Sequence, residues 1–436
     1  MPKIIIAGGG LVGAMLANIL AESSFEIHVI EKRHNPFVSG FQEKGRSINL
    51  ALSTRGWHAL QRIGLERELL SHAIPMYGRA IHHLSNEISF QPYSIDNQAI
   101  YSVSRNTLNL LLLKRLQNFS NVVVHYQKKI VSADIFTAEV HTECGDTFKA
   151  DALIGADGAF SSIQQAFTKT DRFSFCRKYI SHGYKELSIP PDSRGDFVWN
   201  PNALHIFPRK RFMLIALPNC NKTFTATLFL DFEGEESFEK LSDEAKVSAF
   251  FKTYFEDFVR VAPNFVSEFF ENPTSSLGMV SCEPWYRGKT LLIGDAAHAI
   301  VPFYGQGMNA GFEDCLILEE CLQKSPCDIF KAFQVFADSR KPDTDAIAEL
   351  AMRNFIEMRD LVTDERFLAK KQIERELVKM APDVWIPQYS LVTFSRIPYR
   401  KALEIGELQD KLLDEVLSQN LSLWQAVEQF KNLRTC

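Results

Sequence analysis

A short apolar run, Ile4-Ile5-Ile6-Ala7, breaks into Gly8-Gly9-Gly10-Leu11-Val12-Gly13 and then into small residues at Ala14, Ala17 and Ala21. Few folds tolerate that order. Four consecutive apolar residues read as a strand buried on both faces, and the glycines then permit a tight reversal into a helix. Residues 25–31 supply a second strand, so the segment reads as a parallel βαβ unit. In this spacing Gly8 permits the turn, Gly10 lets a pyrophosphate approach the backbone, and Gly13 lets the helix pack on the sheet. The helix start adds free N–H groups and the positive end of its dipole. Glu31, eighteen residues beyond Gly13, ends the second strand where it can accept from ribose hydroxyls. By itself the unit specifies only an adenine dinucleotide.

Two later turns also follow buried strands. Gly155-Ala156-Asp157-Gly158-Ala159-Phe160-Ser161 comes after Ala152-Leu153-Ile154, and Gly294-Asp295-Ala296-Ala297-His298 comes after residues 290–293. Asp157 between glycines also fits an ordinary Asp-Gly turn. Beyond the third turn, Pro302-Phe303-Tyr304-Gly305-Gln306-Gly307-Met308-Asn309 places two glycines before a helix, a nest of backbone N–H groups. Such a nest suits the N1–C2=O edge of an isoalloxazine, which becomes negative on reduction. Asp295 can accept a ribityl hydroxyl. His298 reads as a hydrogen-bonded helix-start residue in preference to a catalytic histidine. The spacing favours a flavin enzyme over a simple nicotinamide dehydrogenase, with one cofactor held by both ends of the chain.

The remaining sequence reads as α/β with an α+β second part. Residues 56–70, 107–117 and 239–258 have helical patterns, and residues 81–91 alternate loosely as strands of a separate antiparallel sheet. Residues 183–189, 203–207, 212–217 and 224–229 are rich in Phe and β-branched residues and read as one antiparallel sheet. A helix is expected over 309–324, and the chain from Ile329 onward reads as helical, interrupted at Pro382, Pro387 and Pro398. A length of 436 residues calls for more than one core. The expected division is a discontinuous Rossmann-like FAD-binding domain (1–75, 98–175 and 280–330) and an antiparallel-sheet substrate domain (76–97 and 176–279). A helical region (331–436) closes the substrate pocket.

A net charge of −5 without a long basic run gives no footprint for nucleic acid. Eight cysteines without C-x-x-C spacing indicate neither zinc nor a disulfide framework, so no metal is expected and reduced cytoplasmic thiols are. No apolar run outside the patterned residues 4–20 is long enough to span a bilayer, and residues 401–436 are amphipathic and charged.

Together the three turns resemble the class A aromatic-ring flavoprotein monooxygenases related to p-hydroxybenzoate hydroxylase, which wrap one FAD with the same motifs in the same order. No second G-x-G-x-x-G is present, which matches that family's transient use of NADPH. The Asp-Gly motif of the family ends in Arg where this chain has Gln164. Arg46-Ser47-Ile48-Asn49-Leu50-Ala51-Leu52-Ser53, Ser102-Val103-Ser104-Arg105, His182-Gly183-Tyr184-Lys185-Glu186-Leu187 and Leu204-His205-Ile206-Phe207-Pro208-Arg209 resemble the branch of the family that hydroxylates kynurenine. So do residues 301–315, 352–359 and 392–397.

That resemblance implies a FAD-dependent enzyme converting L-kynurenine to 3-hydroxy-L-kynurenine in tryptophan degradation, with NADPH and O2 as co-substrates. It also implies a soluble bacterial form without the membrane tail of animal and fungal members. FAD contacts are implied at Gly8, Gly10, Val12, Gly13, Glu31, Arg33, Ala51, Arg105, Ile130, Asp157, Asp295, Gly307, Met308 and Asn309. For the substrate, the implied set is Arg79 as a carboxylate clamp, Tyr93 and Tyr389 as hydroxyl donors, Asn354 at the polar end, and Phe303 and Met358 along the ring. No protein acid, base or nucleophile is assigned, because a flavin C4a-hydroperoxide delivers the oxygen and the anilino nitrogen activates the ring. Two alternatives stand beside this reading: a related hydroxylase of another aromatic acid, and a non-hydroxylating redox-sensing flavoprotein.

Overall fold

The computed structural model describes residues 1–38, 49–94, 96–361 and 364–434. Arg46, Ser47 and Ile48, part of one segment carrying the resemblance, lie outside the described residues.

The N-terminal strand is the centre of a six-stranded sheet ordered Tyr286–Arg287, Thr290–Leu292, Ala152–Gly155, Lys3–Ala7, Glu26–Ile30, Val122–His125. All neighbours run parallel except the edge hairpin of Tyr286–Arg287 with Thr290–Leu292. Ile4, Ile5 and Ile6 have no polar face to offer water, and none is more than 1% exposed. Ala7 pairs with Gly155, and Gly155 with Leu292, so the three glycine-bearing turns leave one edge of the sheet side by side. In open α/β sheets that carboxyl edge is where ligand crevices form. Helix Leu11–Leu20 covers one face of the sheet and packs against Arg105–Leu116 and Gly307–Lys324.

A seven-stranded sheet follows the order Ser275–Glu283, Ser174–Ile189, Phe224–Asp231, Phe212–Pro218, Ala203–Arg209, Gly78–His82, Ile88–Pro92. The expectation of a wholly antiparallel sheet needs correction, because Ala203–Arg209 and Gly78–His82 are parallel. Gly78–His82 forms a hairpin with Ile88–Pro92, but more than a hundred residues separate it from Ala203–Arg209, so no hairpin imposes antiparallel pairing there.

Side-chain alternation in this sheet builds two different faces. Phe224, Ala226, Leu228 and Leu230 join Phe212, Leu214 and Ala216 in a core with the helices Glu244–Tyr254, Glu256–Val259 and Phe265–Glu271. The intervening Met213, Ile215, Leu217, Thr225, Thr227 and Phe229 point the other way and line a cavity.

The expected helix over 56–70 is two helices, Thr54–Arg62 and Glu66–Leu70, because Gly64 turns left-handed between them at φ +70°. The pattern over 239–258 likewise starts late, at Asp243, whose side chain accepts from the Lys246 N–H and caps Glu244–Tyr254. From Ile329 the chain is helical: Ile329–Ile356, Glu365–Met380, Gln388–Thr393, Tyr399–Leu417 and Leu423–Arg434. Pro387 and Pro398 precede helices, as a residue without an N–H does at low cost, while Pro342 lies inside the longest one. No helix among the described residues is long and apolar enough to cross a membrane.

Candidate active site

One cavity of about 1190 Å³ runs from the carboxyl edge of the parallel sheet to the helical C-terminal region. That exceeds the usual range for a single small ligand, roughly 300–1,000 Å³. There is room for a dinucleotide and a substrate end to end.

The dinucleotide end follows from the glycines. Gly8 has φ +98°, and a Cβ there would lie 2.7 Å from the Ala156 carbonyl oxygen. A Cβ on Gly13 would meet the Gly8 carbonyl oxygen at 1.9 Å. Gly10 has nothing within 4 Å of its would-be Cβ and lines the cavity. Two glycines therefore close the turn and the third leaves space for a ligand. The following helix has no capping side chain and no acid in its first turn, so its N–H groups stay available to phosphate.

Glu31 is almost wholly buried and accepts from the Gly9 N–H at 2.7 Å and from Arg33 Nε at 3.0 Å. Burial pushes its carboxyl up, but the Arg33 guanidinium and the backbone donors outweigh that and hold it below its usual value. Arg33, Ala51, Arg105, Ile130, Asp157, Asp295, Gly307 and Met308 line the same cavity. Asp157 is shared with its own turn, since it accepts from the Ser162 N–H at 2.7 Å. Burial raises its carboxyl despite the Ser161 and Ser162 donors. Asp295 is exposed and has no protein partner among the described residues, and the helix Gly307–Lys324 starts without a side-chain cap. An acceptor for hydroxyls beside uncapped N–H groups fits the ribityl chain and pyrimidine edge of FAD.

Three residues expected at the cofactor stand behind the wall or in it. Gly13 is covered by its own turn. Asn309 donates to the carbonyls of Ala51 and Gly305, both at 2.8 Å, and its Oδ1 accepts from the Ser53 N–H at 3.0 Å, which fixes the loop. Val12 reaches the cavity and also fills a notch between two distant glycines. Cβ atoms at Gly294 and Gly311 would lie 3.1 and 2.5 Å from its side chain. Gln164 is buried and donates to the Ala296 carbonyl at 2.8 Å, so it ties the second turn to the third. His298 pairs with Asp314 at 2.6 Å, away from the cavity, in keeping with a structural reading.

At the other end Arg79, on strand Gly78–His82, reaches into the cavity beneath a stack of phenols. Its guanidinium carbon is 5.0 Å from the Tyr389 ring centre and 5.8 Å from that of Tyr93. Tyr93 stacks on Tyr389 at 5.2 Å, and Tyr389 on Tyr304 at 5.6 Å. Burial opposes the Arg79 charge, but Tyr389, Tyr93 and Glu357 favour it, and the guanidinium stays cationic. Among the described residues no carboxylate forms an ion pair with Arg79. Burial pushes all three phenols up, so they remain protonated donors near neutral pH. Among the described residues the buried Tyr93 hydroxyl has no hydrogen-bond partner, yet Tyr93 is not in the cavity wall.

Phe303 and Met358 line the apolar slot. Asn354 does not; its amide donates to the Phe303 carbonyl at 2.6 Å and lies 3.4 Å from the Met358 sulfur, bracing both from behind. Sequence reasoning overlooked Tyr304, Phe229 and Phe355. Phe303 stacks on Phe355 at 4.3 Å and meets Phe229 at 5.0 Å. Phe229 was findable from the period-2 alternation of its strand.

This fold and cradle define an FAD-binding flavoprotein, and residues 1–324 match the family described as FAD binding domain. Two solved structures share the fold. A 2-methyl-3-hydroxypyridine-5-carboxylic acid oxygenase has a TM-score of 0.68 at 18% identity, over 85% of this chain and 95% of its own. Pseudomonas aeruginosa PqsL, in complex with 2-aminobenzoylacetate, has 0.68 at 17% identity, over 82% and 97%. Sequence relatives are nearer. The kynurenine 3-monooxygenase of Flavobacterium johnsoniae is 45% identical over 421 residues, covering 95% of this chain and 94% of the relative. That of Sus scrofa is 42% identical over 422 residues, covering 95% and 88%. The chain belongs to the kynurenine 3-monooxygenase family.

Proposed function

We propose that this protein hydroxylates L-kynurenine at ring carbon 3, with NADPH and O2 as co-substrates. The observation that carries the reading is Arg79, a buried guanidinium without a carboxylate partner among the described residues, at the far end of the cavity that fits FAD. An amino-acid substrate brings the missing carboxylate, and the planar fork of arginine matches it. Tyr389 lies over the guanidinium and lines the cavity, so its hydroxyl can share that carboxylate, while Tyr93 stacks on Tyr389 from outside the wall. Phe303, Met358, Phe229 and Phe355 then form or support an apolar slot for the aromatic ring.

The chemistry a bound FAD supplies is activation of dioxygen after reduction by NADPH, with one oxygen atom passing to the ring and the other leaving as water. Residues Gly8, Gly10, Val12, Glu31, Arg33, Ala51, Arg105, Ile130, Asp157, Asp295, Gly307 and Met308 would hold it, with Gly13 and Asn309 shaping the cradle. The uncapped helix start at Gly307 would meet negative charge at the pyrimidine edge. Because the anilino nitrogen already activates its ortho carbon, the protein has no substrate proton to remove before attack. Its work is to place the ring and exclude water. The division into residues 1–75, 98–175 and 280–330 for cofactor, 76–97 and 176–279 for substrate, and 331–436 for closure belongs to the same reading. So does a cytoplasmic setting, supported by the free cysteines Cys144, Cys176, Cys220, Cys282, Cys315, Cys321 and Cys327.

Mass analysis of products after incubation with kynurenine, NADPH and O2 tests the proposal. A product heavier by one oxygen atom, labelled from ¹⁸O2, is expected. NADPH oxidation stimulated by benzoates and not by kynurenine would sink it.

A further inference from the structure

Between the cofactor loop and the substrate clamp lies a buried strut whose residues do not line the cavity. Arg55, with no exposed side-chain surface, pairs with Glu313 at 2.5 Å and donates to the carbonyls of Val392 at 3.2 Å and Ile397 at 2.5 Å. Those carbonyls bracket the turn between Gln388–Thr393, which carries Tyr389, and Tyr399–Leu417. The Arg55 guanidinium covers the Tyr399 ring at 3.9 Å, and Arg340 approaches it at 5.5 Å. Arg340 in turn pairs with Glu313 at 2.9 Å and Asp314 at 2.7 Å. Held in this way, the fully buried Tyr399 hydroxyl donates to Gln306 Oε1 at 3.0 Å. Gln306 stands between Gly305 and Gly307, both in the cavity wall, and its side chain does not cap its own helix.

We propose that Tyr399 and Arg55 are positioning residues that lock residues 305–309 to the segment bearing Tyr389, and so keep oxygen transfer coupled to a seated substrate. Buried charges seldom improve stability over an apolar core of the same shape, and their best-attested use is to fix one arrangement among several. Here the fixed arrangement joins the segment that clamps a carboxylate to the loop that offers N–H groups to a flavin. Asn309 holds the same loop from its opposite side, through Ala51. Without the Tyr399 bond the loop keeps only its Asn309 side anchored among the described residues, and the seal between ring and cofactor loosens. Water then reaches the activated oxygen, which leaves as H2O2 in place of entering the ring. The coupling part of this inference rests on the proposed function; the anchoring part does not.

Hydrogen exchange on the full-length, FAD-loaded protein without substrate tests the anchor. In Tyr399→Phe the amides of Gly305 and Ala310, bonded to the carbonyls of Pro302 and Gln306, are expected to exchange about five- to tenfold faster. Residues 315–324 of the same helix should keep their rates. Gln306→Leu should reproduce the effect, and the double variant should be no worse than either alone. With kynurenine, NADPH and O2, both variants should release several-fold more H2O2 per NADPH while KM for kynurenine changes little. Unchanged exchange in the two variants, or faster exchange with an unchanged peroxide yield, overturns the proposal. If the parent protein ignores kynurenine, the functional reading fails, and the exchange rates alone decide whether the anchor exists.

Discussion

Arg79 and Glu31 are both buried charges, but only one of them is balanced by the protein. Glu31 already has Arg33 and two backbone donors. Arg79 has aromatic faces and no carboxylate among the described residues, which leaves its charge for a ligand. Arg79→Ala is therefore expected to raise KM for kynurenine roughly 10- to 100-fold, the loss of about 1.5–3 kcal/mol of charged hydrogen bonding. FAD content, read from visible absorbance, should stay the same. Steady-state kinetics showing a parental KM would remove Arg79 from the site. Glu31→Gln should act at the opposite end. It removes the negative charge facing Arg33 and weakens the ribose acceptor, so FAD affinity measured by flavin fluorescence should fall about tenfold, the loss of roughly 1.4 kcal/mol. Kynurenine KM should not move once FAD is saturating.

The glycine turn makes a sharper test at the scale of one element. Gly13→Ala drives a Cβ into the Gly8 carbonyl, where backbone meets backbone and no rotamer can relieve the contact. Destabilisation of about 1–3 kcal/mol or more is expected even without cofactor, despite the better helix propensity of alanine. Gly10→Ala meets open space, so the apo protein should melt within about 0.5 kcal/mol of the parent and still lose FAD. Thermal melts of both variants, with and without FAD, separate the two effects. Equal apo melting curves for Gly13→Ala and the parent would contradict the described packing. The cradle was readable in sequence because Gly8 and Gly13 answer local backbone demands and Gly10 keeps the turn open to a ligand. Other features were not. The parallel pairing of Gly78–His82 with Ala203–Arg209 depends on where distant strands arrive. Asn354 and Tyr93 have the right chemistry for a polar site, but sequence gives no direction for a side chain, and both stand behind the cavity wall. Tyr304 sits next to Phe303 in sequence, yet its place in the phenol stack is set by Tyr389 far along the chain.

Across the whole molecule, acid stability is set in part by a buried hydrogen-bond chain in the second sheet. His205 Nε2–H donates to the Asn200 carbonyl at 2.9 Å, and its Nδ1 meets His82 Nε2 at 2.8 Å, while His82 also pairs with Asp257. Burial pushes the His205 pKa down to about 4 from 6.5. The unfolded chain therefore binds a proton between those values while the folded protein does not, so stability falls as pH drops from about 6.5 towards 4. The loss approaches 3 kcal/mol, on the order of the shift multiplied by 1.36 kcal/mol per unit. Urea unfolding across that window should show a shallower acid slope in His205→Gln than in the parent, and identical slopes would exclude His205 as the group responsible. The Val12 side chain, seated in the notch left by Gly294 and Gly311, has a consequence for how the polypeptide comes off the ribosome. Its first strand and helix are made at once, but the pieces that fit around them are translated only in the final third of the chain. A nascent chain must therefore shelter an incomplete nucleotide fold through most of synthesis, and it gains its prosthetic group only after the Gly311 codon has been read.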